Sequence, residues 1–275
     1  MDGDRDPRRN GRPDSQTIRE MFARIAPRYD LLNRLLSGWT DQRWRRRAVE
    51  AAVRGHEGGI SRVLDTCAGT GDLAIAFARR LGRDARVFGC DFTQQMLIRF
   101  ARKVAEARLD PPPRIAAGDS LALPFRDETF DIVSSAFGVR NVAVGSEGGV
   151  RPALVAAFRE MRRVLLPRGK AVILEFSRPH GGWAAPAMNL YFRKVLPVIG
   201  NLIAGKGETA YGYLPSSVKG FPEGDELMSL LEQAGFRALS ALPLTARIAT
   251  LYLAERTGPG ETNPEQGREA SHGVR

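Results

Sequence analysis

Short apolar runs alternate with longer amphipathic stretches through the middle of the chain. The runs have the length of buried strands, and they cover residues 62–66, 86–90, 114–117, 130–135 and 171–176. Before the last run, one helix is marked by apolar residues at helical spacing, Leu154, Phe158, Met161 and Leu165. Pro152 can open this helix, and Pro167 with Gly169 can close it. The alternation predicts an α/β fold with a mostly parallel sheet and helices on both faces.

Two helical additions flank this predicted sheet. Residues 17–54 predict two or three helices, and the exposed face of the last one carries charged side chains. Residues 183–203 are strongly apolar, but Arg193, Lys194, Pro197 and Gly200 interrupt them, which favours a covering or interfacial helix over a membrane span. We expect one domain over residues 16–256, with cap helices at about 17–54 and 183–220. Residues 1–15 and 257–275 are predicted to be a disordered arm and tail.

Composition narrows the cellular setting more than the function. The 275 residues have 43% hydrophobic content, two cysteines and a formal net charge of +10. No signal peptide and no stretch of about 18 apolar residues is present, so we expect a soluble, cytoplasmic protein with Cys67 and Cys90 as buried thiols. The positive charge fits nucleic acid, an anionic membrane surface or simply an arginine-rich source composition. The net charge alone does not distinguish among these three explanations.

The most informative segment runs from Val63 to Asp72, where an apolar strand enters a glycine turn and then a helix. Gly69 and Gly71 let the backbone turn tightly and approach a ligand, and the following helix presents free N–H groups. An ordinary strand-to-helix turn would show the same Gly-x-Gly. Asp91 strengthens the case, because it ends the second strand, where a carboxylate can accept hydrogen bonds from two ribose hydroxyls. Together these residues predict an adenosine-type ligand.

Charge distinguishes two ligands of that type. The residues Gly69 to Ala74 also satisfy the dinucleotide fingerprint, so a nicotinamide-dependent oxidoreductase is an alternative. Asp65, however, would disfavour a pyrophosphate and can hold the ammonium group of a methionine moiety, directly or through water. Asp119 follows the third strand and can accept a hydrogen bond from the adenine amine, although a loop acid can also merely cap a turn. These features favour S-adenosylmethionine over a dinucleotide.

Four further segments carry a resemblance to a known family. They are Met21 to Arg34 (MFARIAPRYDLLNR), Ala136 to Asn141 (AFGVRN), Leu174 to Pro179 (LEFSRP) and Tyr213 to Val218 (YLPSSV). With the glycine turn, they resemble the ubiquinone/menaquinone biosynthesis C-methyltransferases, within the class I S-adenosylmethionine-dependent methyltransferases. The resemblance covers about residues 20–255, and the four segments are far more particular to this family than the glycine turn.

The resemblance implies a fold, a cofactor and a substrate. The fold is a Rossmann-like, mostly parallel seven-stranded sheet. The substrate is a prenylated quinol that lacks its ring methyl, with Tyr29 and Tyr213 as substrate-binding residues. The implied cofactor residues are Gly69, Thr70, Gly71, Asp91, Asp119 and Ser120, and the charge argument adds Asp65 to them. The chain departs from the family where Ala136 replaces a common serine, where residues 144–149 add a glycine-rich loop, and where Leu166 to Gly169 replace a Lys-Pro-Gly-Gly.

Arg140 and Asn141 are the candidate catalytic pair, because they follow the fourth strand at the carboxyl edge of the sheet, where doubly wound folds bind ligands. A guanidinium there would favour a phenolate, and Asn141 can orient it or a bridging water. Alternatively, Arg140 is structural and pairs with an acid such as Asp72 or Glu175. The sulfonium methyl is already activated, so alignment and phenolate stabilisation matter more than a strong base. None of the three histidines lies in a family motif.

Alternative functions remain at this point. Asp65 and the lack of a Tyr-x-x-x-Lys pair after the fourth strand count against an oxidoreductase. An RNA or small-molecule methyltransferase is the other alternative, but the arginines lack the interleaved aromatic residues of a stacking platform. We therefore expect no nucleic-acid partner and no metal. The expected partners are the quinol and, peripherally, the inner face of the membrane; the sequence leaves a homodimer open.

Overall fold

The computed structural model describes residues 15–56, 59–142, 149–177 and 220–258. Its strands are β1 (Arg62–Thr66), β2 (Arg86–Asp91), β3 (Arg114–Ala117), β4 (Phe130–Ala136), β5 (Leu165–Phe176), β6 (Phe236–Leu244) and β7 (Ala249–Arg256). Its α-helices are α1 (Ser15–Ile25), α2 (Tyr29–Ser37), α3 (Asp41–Val53), α4 (Asp72–Leu81), α5 (Gln94–Ala107), α6 (Val139–Val142), α7 (Val150–Val164) and α8 (Asp225–Gln233). A 3-10 turn at Ala26–Arg28 joins α1 to α2.

The strands form one seven-stranded sheet in the order β3-β2-β1-β4-β5-β7-β6. Neighbouring strands from β3 to β5 pair in parallel, whereas β7 pairs antiparallel with both β5 and β6. The predicted α/β class and mostly parallel sheet are confirmed. Because β1 to β5 point the same way, the segments that follow Thr66, Asp91, Ala117 and Ala136 all meet at the carboxyl edge of the sheet.

Two apolar layers hold the sheet between helices. On one face, α3, α4 and α5 bury Trp44, Phe77 and Phe100 against β1 and its neighbours. On the other face, α7 and α8 bury Phe158 and Leu227 against β4 and β5. Leu154, Phe158 and Met161 lie on α7 and are buried, as their helical spacing predicted. Leu165, which was predicted to continue this helix, is instead buried as the first residue of β5. Burial of such side chains contributes about 1.5–3 kcal/mol each, so these layers dominate the stability of the fold.

Strand boundaries differ from the prediction mainly at β5. Strands β1 and β3 have the predicted bounds, and β2 and β4 each extend one residue further. Strand β5 begins at Leu165, six residues before the predicted start, because Leu165 already pairs with Phe130. The next paired residue is Lys170, opposite Ile132, so the segment with Pro167 and Gly169 bulges out of the strand instead of separating it from α7.

The N-terminal cap consists of α1, the 3-10 turn, α2 and α3, as predicted for residues 17–54. Helix α3 is anchored by Trp44, whose ring lies against Phe137 and Phe176 and whose indole N–H donates to the Thr245 hydroxyl at 2.8 Å. Its exposed side is polar and includes Arg43, Arg47, Glu50 and Arg54, which is the expected solvated face. The cap therefore sits on the sheet through one apolar face of α3.

Several predictions fall outside the described residues. The second predicted cap segment, 183–220, lies outside them except for Gly220, and so does the predicted substrate-binding residue Tyr213. Nearly all of the predicted arm and tail lie outside them as well. The homodimer that the sequence left open is not tested by the structure of a single chain. Within the described ranges, no helix is long and apolar enough to cross a membrane. Within the same ranges, no group of three or more His, Cys, Asp or Glu side chains could hold a metal ion.

Candidate active site

The turn between β1 and α4 needs its glycines for conformation and for space. Gly69 and Gly71 have φ values of +55° and +82°, which L side chains rarely adopt. A Cβ atom on Gly71 would lie 2.0 Å from Cδ2 of Phe100, a ring that is completely buried. Gly69 has no such contact; there the nearest side chain is Tyr29, whose Cε1 would lie 3.9 Å from an added Cβ. The turn is thus packed from below by Phe100 and covered from the cap by Tyr29.

Asp91 ties this turn to the end of the next strand. One carboxylate oxygen accepts a hydrogen bond from the Gly69 N–H at 2.8 Å, and the other accepts one from the Thr93 N–H at 2.8 Å. Burial raises the pKa of Asp91, and these backbone N–H groups oppose that rise. A carboxylate oxygen has two lone pairs, so both oxygens retain acceptor capacity for a ligand. Asp91 therefore shapes the turn and can still receive hydroxyl donors.

A cavity of about 270 Å³ opens at this edge of the sheet. It brings together six of the predicted site residues: Tyr29, Gly69, Asp91, Asp119, Ser120 and Asn141. Its other lining residues come from the cap and from the segments after β1, β2, β3 and β4; they are Arg19, Phe22, Cys67, Phe92, Thr93, Met96, Leu121, Phe137, Gly138 and Val142. The cavity thus combines hydrogen-bond acceptors at its base with apolar side chains around them.

Sequence reasoning missed the apolar part of the cavity. Phe92 directly follows Asp91, and that position was the available signal for it. Arg19 and Phe22 lie on α1, whose amphipathic pattern marks a packed face without showing what that face covers. The Arg19 guanidinium lies over the Phe92 ring, 5.2 Å from its centroid, and so links the cap to the loop after β2.

Asp65 does not line the cavity. It is buried at the end of β1, and its Oδ1 accepts a hydrogen bond from the Ser134 hydroxyl at 3.0 Å. Burial raises the pKa of Asp65 to about 7, although the Ser134 hydroxyl and the charge of Arg45 oppose the rise. Any contact between Asp65 and a bound ammonium would have to be relayed. Near neutral pH, this carboxyl group is poised between its two protonation states.

Arg140 and Asn141 have different surroundings. Asn141 lines the cavity, whereas Arg140 is buried and forms an ion pair with Glu175 at the end of β5. Of the two acids offered as structural partners for Arg140, the structure selects Glu175. Burial raises the pKa of Glu175, and Arg140 opposes that rise. Nε of Arg140 and Oε2 of Glu175 are buried and have no hydrogen-bond partner among the described residues. The pair therefore keeps unused hydrogen-bonding capacity.

The remaining predicted residues serve the walls and the turn. Cys90 is buried as predicted, whereas Cys67 is only partly buried and lines the cavity. The Ser120 hydroxyl lies 3.0 Å from the Cys67 sulfur, and desolvation raises the pKa of that thiol to about 12. Asp119 accepts a hydrogen bond from the Leu121 N–H at 2.9 Å, which is the turn-capping role considered from the sequence. Thr70 does not line the cavity; its hydroxyl donates to Asp30 of the cap at 2.5 Å.

Comparison with known proteins extends this picture. The model of the ubiE/COQ5 methyltransferase family matches residues 11–256. A ubiquinone/menaquinone biosynthesis C-methyltransferase UbiE from Geobacter sulfurreducens is 44% identical over 241 residues, covering 88% of this chain and 89% of the relative. A demethylmenaquinone methyltransferase from Thermus thermophilus is 44% identical over 236 residues, covering 86% of this chain and all of the relative.

Solved structures agree on the fold. The [4+2]-cyclase SpnF has a TM-score of 0.62 at 18% identity, covering 90% of this chain and 97% of its own. A putative methyltransferase from Bacillus halodurans has a TM-score of 0.51 at 17% identity, covering 77% and 97%. At these identities the likeness concerns the fold alone, which is Rossmann-like as predicted. The glycine turn at Gly69 and Gly71 and the carboxylate of Asp91 at the end of β2 are both in place. Because the family model matches residues 11–256, this chain belongs to the ubiE/COQ5 methyltransferase family.

Proposed function

We propose that this enzyme transfers a methyl group from S-adenosylmethionine to a ring carbon of a prenylated demethylquinol, in the biosynthesis of a respiratory quinone. The observation that carries the proposal is the cavity in which Asp91, Gly69 and Asp119 lie beside Asn141 and Tyr29. The names of the two relatives, one a ubiquinone/menaquinone and one a demethylmenaquinone methyltransferase, support the choice of substrate.

The residues around the cavity suit the cofactor. Asp91 offers free lone pairs for a ribose diol, and Phe92 and Met96 offer apolar surface for an adenine ring. The Thr93 hydroxyl lines the same cavity beside the Asp91 carboxylate and adds a second polar group that a ligand hydroxyl can meet. When bound, S-adenosylmethionine supplies an electrophilic methyl group. Asp65, Thr70 and Gly71 act behind the cavity wall in this proposal, and Asp119 and Ser120 act at its rim.

The catalytic work of the protein is alignment and charge stabilisation. A quinol carbon becomes a stronger nucleophile as the neighbouring hydroxyl loses its proton. Arg140 does not line the cavity, but its charge and its Nε, which has no hydrogen-bond partner among the described residues, would stabilise the developing phenolate. Asn141 would orient the oxygen or a bridging water, and Tyr29 would hold the ring over the glycine turn. Arg140 and Arg45 place positive charge near the Tyr29 hydroxyl. The substrate must be reduced, because the carbons of an oxidised quinone ring are electrophilic.

Turnover with labelled cofactor tests this function. Purified enzyme with methyl-labelled S-adenosylmethionine is expected to label demethylmenaquinol or a demethylated benzoquinol precursor in the presence of a reductant, and to leave the oxidised quinone unlabelled. Label recovered in RNA instead of lipid, or binding of NAD without binding of S-adenosylmethionine, would replace the proposal by one of its alternatives. Equal labelling of the oxidised quinone would overturn the mechanism.

Asp91→Ala is expected to weaken binding of S-adenosylmethionine by tenfold or more. The substitution removes charge-assisted hydrogen bonds of about 1.5–3 kcal/mol each, and every 1.4 kcal/mol corresponds to about a factor of ten in the dissociation constant. Calorimetric titration measures the change. Asp131→Ala is the matched control, because Asp131 also accepts two backbone N–H groups, from Ser61 and Arg62, but at the opposite edge of the sheet. An equal loss of affinity in both variants would place the cofactor elsewhere.

Cofactor affinity is expected to rise with pH through about 7. Asp65 can attract an ammonium group only as a carboxylate, and its pKa of about 7 makes the carboxylate a minority at pH 6. An α-amino group loses its proton near pH 7.7–8, so affinity should peak between these values. Ser134→Ala removes the hydrogen bond that lowers this pKa and should move the acid limb to higher pH. The neighbouring Ser135→Ala, on the opposite face of β4, should leave the limb in place; titrations from pH 5.5 to 8.5 check both.

Peripheral contact with the membrane is proposed on grounds of substrate and composition. A prenylated quinol resides in the bilayer, and the stretch 183–203 has apolar residues beside basic ones, which is the composition of an interfacial helix. Flotation with vesicles containing anionic lipid is expected to carry the protein upward at low salt. A protein that stays wholly in the soluble fraction would remove the membrane from the proposal and leave the chemistry untouched.

A further inference from the structure

The ammonium group of Lys103, on α5, meets three side chains from two other parts of the chain. Its Nζ lies 3.1 Å from Oδ2 of Asp30 and 3.2 Å from the Thr70 hydroxyl, and it forms an ion pair with Asp72. The Thr70 hydroxyl in turn donates to the other oxygen of Asp30 at 2.5 Å. Four polar side chains thus form one connected network.

This network joins three elements that build the cofactor cavity. Asp30 lies in the first turn of α2, directly after Tyr29. Thr70 lies inside the glycine turn, between Gly69 and Gly71, and Asp72 begins α4. Lys103 therefore connects the cap on one side to the glycine turn on the other. Tyr29, which covers Gly69 and lines the cavity, is held at the end of this connection.

The surroundings make the network stronger than an ordinary surface ion pair. The side chains of Lys103, Asp30 and Asp72 are only 20%, 15% and 17% exposed. Exposed ion pairs contribute little because water screens them, and that screening is reduced here. Burial on its own raises the pKa of Asp72, but Arg45 and Lys103 outweigh it and hold the pKa below its usual value. Asp72 also lies 3.6 Å from Arg34, whereas the ammonium of Lys103 is the group that reaches both carboxylates.

We propose that Lys103 is a positioning residue of this enzyme: by holding Asp30 against Thr70 and Asp72, it fixes Tyr29 over the glycine turn and keeps the cap closed on bound S-adenosylmethionine. The inference rests on the proposed function for its ligand. It assigns a role to a side chain that does not line the cofactor cavity.

A lysine suits three converging acceptors. Its ammonium is compact and carries three donors, arranged tetrahedrally, whereas a guanidinium is planar and its donors form a fork. Lys103→Arg would therefore keep a positive charge between Asp30 and Asp72 but would lose simultaneous contact with all three oxygens. Charge and position become separable by comparing two variants.

The experiment compares Lys103→Met, Lys103→Arg and Lys170→Met with the full-length wild-type enzyme. Lys170 is the matched control, since it is also partly buried but donates to the Arg54 carbonyl at the other edge of the sheet. Calorimetry gives the dissociation constant for S-adenosylmethionine, stopped-flow displacement gives its dissociation rate, and a melting curve gives Tm. Lys103→Met is expected to raise the dissociation constant and rate about tenfold, the scale of one charge-assisted hydrogen bond. Lys170→Met should change neither.

Lys103→Arg decides between position and charge. The expected result is a Tm close to that of the wild type with cofactor affinity still several-fold weaker. Full recovery of affinity in this variant, or affinity that follows Tm across all three variants, would overturn the positioning role. Asp30→Asn should weaken binding alone and add little to Lys103→Met; full additivity of the two changes would also overturn it. Binding of S-adenosylmethionine by an enzyme that methylates no quinol would refute the proposed substrate instead, and these affinity measurements would stand.

Discussion

Arg140→Lys is expected to lower kcat on a demethylated quinol about a hundredfold while cofactor affinity stays near that of the wild type. A loss of this size corresponds to about 3 kcal/mol of transition-state stabilisation. Lysine can keep the ion pair with Glu175, so the fold should survive. It cannot reproduce the fork of donors that would brace a phenolate and a neighbouring oxygen together. Because the contact strengthens as the phenolate develops, kcat should fall more than the Michaelis constant rises.

Arg45→Lys is the matched control for this prediction. Arg45 is 6% exposed and Arg140 is 8% exposed, each is ion-paired with one acid, and each guanidinium lies 5.2 Å from the centroid of a phenylalanine ring. Steady-state kinetics and melting curves on both variants separate a catalytic role from a structural one. Near-normal turnover in Arg140→Lys, or equal losses in the two variants, would return Arg140 to the structural role of partner for Glu175.

Gly71→Ala is expected to destabilise the fold by about 2–5 kcal/mol. An alanine must adopt the left-handed backbone at φ +82°, at a cost of about 1–2 kcal/mol, and its Cβ would lie 2.0 Å from the buried ring of Phe100. Overpacking of this kind adds about 1–3 kcal/mol. Thermal unfolding should show a drop in Tm of about 10 °C for a domain of this size.

Gly38→Ala isolates the backbone contribution to that loss. Gly38 is also in the left-handed α region, at φ +56° and ψ +41°, but an added Cβ there would meet nothing within 4 Å. Its cost should therefore be limited to about 1–2 kcal/mol of backbone strain. Trimming the ring should relieve the clash, so Phe100→Leu should cost less in the Gly71→Ala background than in the wild type. Equal costs in the two backgrounds would show that the ring is not the cause.

The apolar pattern predicted the parallel half of the sheet but not its last two strands. Strands β1, β2 and β4 and the later part of β5 are apolar runs buried on both faces, and the edge strand β3 is a short apolar run. Such runs stand out in a sequence. In β6, buried and exposed residues follow no clean alternation, and Pro243 lies inside the strand, so no apolar run marks it. Strand β7 is apolar and pairs antiparallel with β6, which directly precedes it, and with β5, which lies more than 70 residues earlier. Local periodicity carries no information on the second of these pairings.

The site residues that could be predicted from the sequence are those that end a strand or directly follow one. Gly69, Asp91 and Asp119 each end or follow a strand, and parallel strands bring such positions to one edge. Contacts between helices are different. Lys103 and Asp30 are 73 residues apart in the sequence, and they come together because α1 and the 3-10 turn pack against α5. Glu175 was distinguishable from Asp72 as the partner of Arg140 only once β4 and β5 were known to be neighbours.

The order of strands has a consequence for synthesis of the chain on the ribosome. Strand β7 lies between β5 and β6, although both precede it in the sequence. A nascent chain that has reached residue 244 therefore holds two strands whose shared partner has not been made. Until residues 249–256 emerge, the edge of β5 from Lys170 to Phe176 has none of its final hydrogen bonds on that side. The parallel half of the sheet can fold while the chain is still being synthesised, but the sheet is completed only when β7 inserts between β5 and β6. Until then the edge of β5 is exposed, and exposed strand edges are prone to aggregation, against which chaperones protect a nascent chain.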